Sequence, residues 1–203
     1  LTKKEKDNLA EMLQKSIIND DIDTFQFLVS STNTFVNKEI SKIDFMNDDH
    51  SSKITLVNFS ALNGSIKVFK FLIMNDTDID SETVINAIEG GNYDILHIIE
   101  LNDKSLFDDK INEKSYIECA ISSNQIKILD YLIDNYNYDL YKSENMQNYL
   151  AKSIESYNYD IFYRLITHKE SIEDYQNEFN TFLKEKLMYD DAKNLESITK
   201  TTI

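Results

Sequence analysis

The residues best suited to chemistry in this sequence are its three histidines. His50, His97 and His168 lie far apart, and none stands in the H-E-x-x-H spacing, or a comparable one, that directs two imidazoles at one metal ion. His97 also falls in a helical column that otherwise holds Gln, Lys, Asp, Tyr and Glu, which predicts an exposed side chain. The histidines therefore predict neither a metal site nor a catalytic base.

Two other patterns match known sites only in part. Residues 76–82 read DTDIDSE and begin like a calcium loop, in which alternate carboxylates converge on a hard cation. The sixth position is Ser81 instead of Gly and the twelfth is Ala87 instead of Glu, which favours a polar loop with Ser81 capping the next helix.

Cys119 has no histidine at the spacing of a nucleophile motif, which favours a buried structural thiol. With 3 glycines and no phosphate-binding loop, the sequence predicts no enzyme, no catalytic residue, no metal and no cofactor.

Composition limits the class of protein and the class of partner. A chain of 203 residues with 41% hydrophobic and 28% charged residues is typical of a globular protein with a substantial core, and the absence of Pro with only 3 Gly favours helix. A net charge of −15 repels phosphates, so we expect neither nucleic acid nor a membrane surface as a partner. We also expect no small-molecule substrate. A basic protein is the better candidate partner, although acidity that only maintains solubility is at least as good an interpretation of the charge.

Cysteine usage and hydropathy indicate the compartment. One cysteine cannot form an internal disulfide, which favours a reducing environment, so an intracellular and by default cytoplasmic location is expected. No apolar run has the length of a membrane span or of a signal-peptide core. A first residue Leu1 instead of Met is compatible with a fragment of a longer protein.

The sequence repeats itself. Thirteen-residue blocks align without gaps from Ser16, Ser60, Ala87, Ala120 and Ser153, with a fainter one from Lys186. The last four starts are about 33 residues apart, which is the period of ankyrin-type helix pairs. We interpret the longer first interval as an irregular insertion at residues 30–54, with extra helix favoured over a long finger loop, and the shorter second interval as a deletion.

Each block predicts two short helices joined by a turn. Apolar residues four apart, such as Val84 and Ile88, place one stripe on a first helix, and residues three apart, such as Leu96 and Ile99, place another on a second helix. The turn column, where a left-handed backbone is expected, holds Asp20, Gly64, Gly91, Asn124, Tyr157 and Asp190. The next column, in which every residue except Gln125 can act as an N-cap, holds Asp21, Ser65, Asn92, Gln125, Asn158 and Asp191. Two positions further on, charges alternate from Asp23 through Lys67, Asp94, Lys127 and Asp160 to Lys193, which predicts facing opposite charges in stacked repeats.

These blocks resemble the ankyrin family, whose repeat reads T-P-L-H-x-A-A-x-x-G-H-x-E-I-V-x-L-L. The best match is residues 55–72, TLVNFSALNGSIKVFKFL, although no repeat keeps the Pro or the His of the T-P-L-H tetrad. The resemblance implies an all-α solenoid of about six stacked helix–turn–helix repeats with short or irregular finger loops, forming a single domain over residues 1–203. The repeat cores are expected near residues 11–29, 55–73, 82–100, 115–133, 148–166 and 181–199.

Ankyrin repeats usually bind proteins through a concave face of first helices and finger tips, so the resemblance implies a protein-interaction scaffold. The first-helix positions carried over to this chain are Glu89, Ser122, Ser123, Glu155 and Ser156. The connecting segment adds three tyrosines, a residue type enriched at interfaces, Tyr136, Tyr138 and Tyr141. For Tyr136 and Tyr138, covering the core below is an equally good interpretation. The alternative function is a substrate-recruiting arm of a larger enzyme or effector whose catalytic part lies outside this sequence.

Overall fold

The computed structural model of the protein describes residues 3–32, 39–41, 53–108 and 110–168. These residues form eleven helices and one short antiparallel pair of strands, so the all-α class is confirmed for them. The chain divides into two compact units, Leu1–Tyr138 and Asp139–Ile203. The sixth predicted repeat, near residues 181–199, lies outside the described residues, and the single domain over residues 1–203 stays a prediction.

The first unit contains nine helices and two strands in its described residues. In chain order they are α1 (Lys3–Ile18), α2 (Ile22–Thr32), β1 (Glu39–Ser41), β2 (Lys53–Thr55), α3 (Leu56–Leu62), α4 (Ile66–Met74), α5 (Ser81–Glu89), α6 (Tyr93–Asn102), α7 (Ser105–Asp108), α8 (Lys110–Ser122) and α9 (Ile126–Tyr136). The second unit contributes α10 (Ser143–Glu155) and α11 (Tyr159–Thr167).

Helices pair as the repeated blocks predict. In the first unit α1 packs on α2, α3 on α4, α5 on α6 and α8 on α9, and in the second unit α10 packs on α11. The first helices of successive pairs also contact one another, from α1 to α3 to α5 to α8, as do the second helices α2, α4 and α6. Each short pair of the first unit thus shares its apolar side with a neighbour, which helices of this length need for stability.

The predicted apolar stripes form the core. In the α5 and α6 pair, Val84, Ile88 and Ile99 have no exposed surface, and Leu96 is 1% exposed. The equivalent residues of the other four pairs are buried too, except Ile154, which is half-buried. Burial of each such side chain contributes roughly 1.5–3 kcal/mol, so the core resides between helices that are individually unstable.

The turn column is confirmed in all five described pairs. Its backbone is left-handed, with φ of 48° at Asp20, 67° at Gly64, 69° at Gly91, 58° at Asn124 and 56° at Tyr157. In each turn the next amide donates to the carbonyl of the first block residue, for example from Asn158 to Ser153 at 2.7 Å. This hydrogen bond reverses the chain at the helix end and requires the left-handed residue before it.

The N-cap column is confirmed in part. The side-chain oxygens of Asp21, Asn92 and Asn158 accept from the backbone amides of Thr24, Ile95 and Ile161 at 3.1–3.3 Å. The expected cap at Ser65 is wrong, because its hydroxyl donates to the carbonyl of Ile17 at 2.5 Å. The carboxylate of Asp20 caps α4 instead, accepting from the amides of Lys67 and Val68 at 2.9–3.2 Å. A tertiary contact with the preceding pair therefore replaces the local cap.

Two details of the connections differ from expectation. Helix α5 begins with a capping box between Asp80 and Thr83, so Ser81 is its first residue and not its cap. In the insertion, β1 pairs antiparallel with β2, and Ile40 lies opposite Ile54. Extra helix is therefore wrong at residues 39–41 and 53–54, while residues 33–38 and 42–52 lie outside the described part.

Gly90 explains how closely α3 and α5 approach each other. A Cβ at this position would lie 2.3 Å from the carbonyl oxygen of Leu62 and 2.7 Å from that of Ala61. Both of these are backbone atoms near the end of α3, which cannot rotate away as a side chain can. Only glycine therefore allows this packing distance.

Candidate interaction surface

Two neighbouring first helices of the first unit present one exposed surface, which we call the α5–α8 surface. It comprises Glu82, Ile85, Glu89, Cys119, Ser122 and Ser123. The Sγ of Cys119 on α8 lies 3.5 Å from the carbonyl oxygen of Ile85 on α5, which fixes the two helices side by side. Three of the predicted contact residues, Glu89, Ser122 and Ser123, thus share one surface.

The polar side chains of the α5–α8 surface differ in how accessible they are to a partner. Glu82, Glu89 and Ser122 are exposed. Ser123 is half-buried, and its hydroxyl donates to the carbonyl of Cys119 at 2.6 Å. The two carboxylates and Ser122 are therefore the groups that this surface offers to a partner.

Cys119 is half-buried, not fully buried as expected, and its environment suppresses the thiolate. Burial, followed by the negative charges of Glu89 and Glu82, raises the pKa of the Cys119 thiol to about 12. A nucleophilic cysteine needs the opposite, a thiolate stabilised by nearby positive charge. The geometry therefore favours a structural role for this thiol.

Tyr136 and Tyr138 do not face solvent. Tyr136 is 7% exposed and Tyr138 is 3% exposed, so neither ring is available to a partner. We remove both from the predicted contact residues, because the alternative interpretation, that they cover the core, matches their burial. The signal for an interface was residue type alone, and residue type does not distinguish a buried tyrosine from an exposed one.

These two tyrosines belong to a group that we call the Tyr–Glu100 cluster. It comprises Phe107, Tyr116, Tyr131, Tyr136 and Tyr138 around the carboxylate of Glu100. Tyr136 stacks on Phe107 with ring centroids 5.0 Å apart, and the Tyr138 hydroxyl donates to the Phe107 carbonyl at 2.6 Å. The cluster packs α6, α7 and α8 against α9 and the segment that follows it.

Glu100 supplies the polar centre of that cluster. Its Oε1 accepts from the hydroxyl of Tyr136 at 2.5 Å, and its Oε2 accepts from the hydroxyl of Tyr131 at 2.7 Å. Burial opposes ionisation, but the hydrogen bonds from Tyr136, Tyr131 and His97 outweigh it and lower the pKa of Glu100. Burial and the same carboxylate raise the pKa of both tyrosines. The network therefore holds a carboxylate and two neutral phenols.

Sequence reasoning missed the cluster, although one signal was present. Glu100 follows its block at a position where the other described pairs have Val29, Ile73, Ile133 and Ile166. A carboxylate in an otherwise aliphatic column must find hydrogen-bond donors, since an unpaired buried charge is costly. Two tyrosines of α9, Tyr131 and Tyr136, are the donors that it finds.

The predicted contact residues of the second unit lie at the end of α10 and in the segment before it. Glu155 is exposed, and its Oε2 lies 3.4 Å from the Nζ of Lys152. Ser156 is half-buried, and its hydroxyl donates to the Lys152 carbonyl at 2.7 Å. Tyr141 is half-buried and stacks on His168 with centroids 3.8 Å apart. Of the three, Glu155 is the most accessible.

Of the three histidines, His97 is the one whose exposure the sequence predicted. The side chain of His97 is 66% exposed, as predicted, with Nδ1 3.3 Å from Oε2 of Glu100. His50 lies outside the described residues. Within the described ranges, no three His, Cys, Asp or Glu side chains are grouped so that they could hold a metal ion.

Four of the alternating charges lie on described second helices of the first unit. Asp23, Lys67, Asp94 and Lys127 form no ion pair with any residue that the structure describes. The expected facing pairs are therefore wrong for these four residues. Their side chains point to solvent, where separate charges gain little from each other.

Comparisons with known proteins were made at the level of family, sequence and structure. No protein-family model, curated protein or solved structure matches this chain. None of the helices in residues 3–32, 53–108 and 110–168 combines the length and the apolar character needed to cross a membrane.

Proposed function

We propose that this chain is a protein-interaction scaffold built from ankyrin-like helix pairs, and that its α5–α8 surface binds a basic segment of a partner protein. The observation that carries the proposal is the pair of exposed carboxylates, Glu82 and Glu89, beside Ser122 on two adjoining first helices. Repeated helix pairs offer such a surface because each pair continues the face of the one before it.

The ankyrin-like assignment is supported by the repeated turn. Five described pairs share a left-handed residue at one position, and four predicted blocks share a period of about 33 residues. In three successive pairs of the first unit, the turn residue also meets the next pair. Asp20 caps α4, a Cβ on Gly64 would lie 3.1 Å from Asn92, and one on Gly91 would lie 2.5 Å from Gln125. The pairs therefore follow one another with the same local geometry.

A basic partner is supported by charge. The net charge of −15 creates a field that accelerates encounter with a cationic segment and repels nucleic acid. The carboxylate of Glu89 makes no hydrogen bond or ion pair with another described residue. Its carboxylate is therefore fully available to a Lys or Arg of the partner. With Cys119 held as a thiol, the surface favours binding over covalent chemistry.

Charge reversal on the α5–α8 surface tests the proposal. The double variant Glu82→Lys/Glu89→Lys should bind a peptide of alternating Lys and Gly about tenfold more weakly than the wild type, measured by calorimetry at low salt. The matched control is Asp94→Lys/Asp134→Lys, which changes the net charge equally at exposed sites on second helices. The control should lose at most about twofold. Equal losses in the two variants would mean that the peptide responds only to net charge, and the assignment of this surface would be wrong.

A further inference from the structure

Each later helix pair of the first unit meets the pair before it with the same side, which we call its leading face. On the first helix of the α5–α6 pair, the Thr83 hydroxyl donates to the side-chain oxygen of Asn58 on α3 at 2.7 Å. On the second helix of the α3–α4 pair, the Phe71 ring lies 5.9 Å from the Phe25 ring of α2. Tyr131, the equivalent residue of α9, contacts a ring of α6 at the same distance. The leading face therefore contains the first-helix column of Thr83 and the second-helix column of Phe71.

These two columns are covered in the later pairs and open in the first pair. In the first-helix column, Leu56, Thr83 and Tyr116 are at most 1% exposed, whereas Met12 of α1 is 42% exposed. In the second-helix column, the residues of α4, α6 and α9 are half-buried, whereas Phe27 of α2 is 68% exposed. The α1–α2 pair thus presents to solvent the apolar side that its neighbours in the described part of the first unit use for stacking.

Other apolar residues are exposed for a different reason. Met74 at the end of α4 is 83% exposed and Leu101 at the end of α6 is 73% exposed. Their shared column is exposed in all four pairs of the first unit, whether or not another pair precedes it. The exposure of Met74 and Leu101 therefore follows from their position within a pair, whereas that of Met12 and Phe27 follows from the lack of a neighbour.

The charges beside Met12 indicate what could cover this face. In the later pairs a helix pair of the same kind covers it, so a helix pair has the matching shape. On α1 the Nζ of Lys15 lies 2.6 Å from the Oε1 of Glu11, and both side chains are exposed. When two copies of α1 cross antiparallel about a two-fold axis, Glu11 of each copy faces Lys15 of the other. The face is therefore complementary in charge to itself, whereas a purely basic or purely acidic partner would meet one like charge.

We propose that the leading face of the α1–α2 pair binds the same face of a second copy of this chain, with Met12 and Phe27 at the centre of the contact. A two-fold dimer of this kind covers both open faces at once. The net charge of −15 on each copy opposes association, so the dimer forms reversibly. The contact shares no residue with the α5–α8 surface, so it stands or fails independently of the proposed partner binding, and the dimer presents two such surfaces.

The test is the dependence of the molecular mass on concentration, measured by sedimentation equilibrium. The wild type should change from monomer to dimer with a Kd on the order of 100 μM. Phe27→Lys places an ammonium group in the apolar centre and should raise that Kd at least about tenfold. The matched control is Met74→Lys, the same change of charge at an exposed apolar residue of a second helix, which should alter the Kd less than about twofold.

A charge exchange tests the choice of a second copy as the occupant. Glu11→Lys places lysine against lysine and should raise the Kd about fivefold, whereas Glu11→Lys/Lys15→Glu restores opposite charges and should return the Kd to within about twofold of the wild type. All of these substitutions are at exposed side chains, and circular dichroism should show an unchanged fold. A wild type that stays monomeric up to about 1 mM would overturn the proposal. Equal effects of Phe27→Lys and Met74→Lys, or a double variant as weak as Glu11→Lys, would overturn it too.

Discussion

Tyrosines occupy two regions of this molecule in opposite ways. Around Glu100 in the first unit, Tyr131 and Tyr136 direct their hydroxyls at one carboxylate, and their rings pack on other aromatics. In the turn of the second unit, Tyr157 and Tyr159 face solvent. The difference arises from the neighbours, since a tyrosine is buried where an acceptor lies below it and stays exposed where none does. Tyrosine near a helix end is therefore part of the packed interior in one region and an exposed residue in the other.

Removing a ring from each region should give the largest contrast. Tyr136→Ala leaves a cavity against Phe107 and should lower the free energy of unfolding by about 3–5 kcal/mol, measured by urea denaturation. Tyr159→Ala is the matched substitution at an exposed ring and should change it by less than about 0.5 kcal/mol. Similar losses in the two variants would break the distinction between the regions.

Substitution of Glu100, which accepts both tyrosine hydroxyls, should have the next largest effect on the free energy of unfolding. Both carboxylate oxygens of Glu100 receive a tyrosine hydroxyl, so Glu100→Gln replaces one acceptor by an amide donor and leaves a phenol unpaired. We expect a loss of about 1–3 kcal/mol in the free energy of unfolding at pH 7. Glu89→Gln, at an exposed carboxylate with no partner among the described residues, should change it little.

The effect of Glu100→Gln on stability should also depend on pH. The pKa of Glu100 is lowered in the folded protein, so its ionised form stabilises the fold most fully above its unfolded pKa of about 4.3. That contribution is lost as the pH falls through the lower, folded pKa. The stability difference between wild type and Glu100→Gln should therefore shrink below about pH 4 when unfolding is followed by circular dichroism. A difference independent of pH would show that the carboxylate charge contributes nothing.

The sequence predicted the helix pairs and their turns because both depend on local spacing. Apolar periodicity determines which face of a helix is buried, and the residue after a short helix must tolerate a left-handed backbone. The turn at Asn124 and the strained one at Tyr157 were therefore found from sequence. Spacing even placed Glu89 and Ser122 on one surface, because equivalent repeat positions share a face.

What the sequence could not predict depends on contacts between distant residues. Ser65 is a residue type that can act as an N-cap, but its hydroxyl donates instead to the carbonyl of Ile17, 48 residues earlier. Tyr136 has the chemistry of an interface residue, but Glu100 lies 36 residues before it. Residues 39–41 pair with residues 53–55 across an insertion that has no periodicity. In each case the outcome depends on a neighbour that becomes adjacent only in the folded chain, so local pattern cannot identify it.

Lys127 provides the smallest and most selective comparison, because it lies on the same helix, α9, as Tyr131 and Tyr136. Its side chain is exposed and forms no ion pair with a described residue. Lys127→Glu should therefore change the free energy of unfolding by less than about 0.5 kcal/mol in urea denaturation. A loss of several kcal/mol would mean that the alternating charges of the second helices hold neighbouring pairs together. The small change expected here would instead assign the stability of α9 to its buried side, which is formed by Ile128, Leu129, Leu132 and Tyr136.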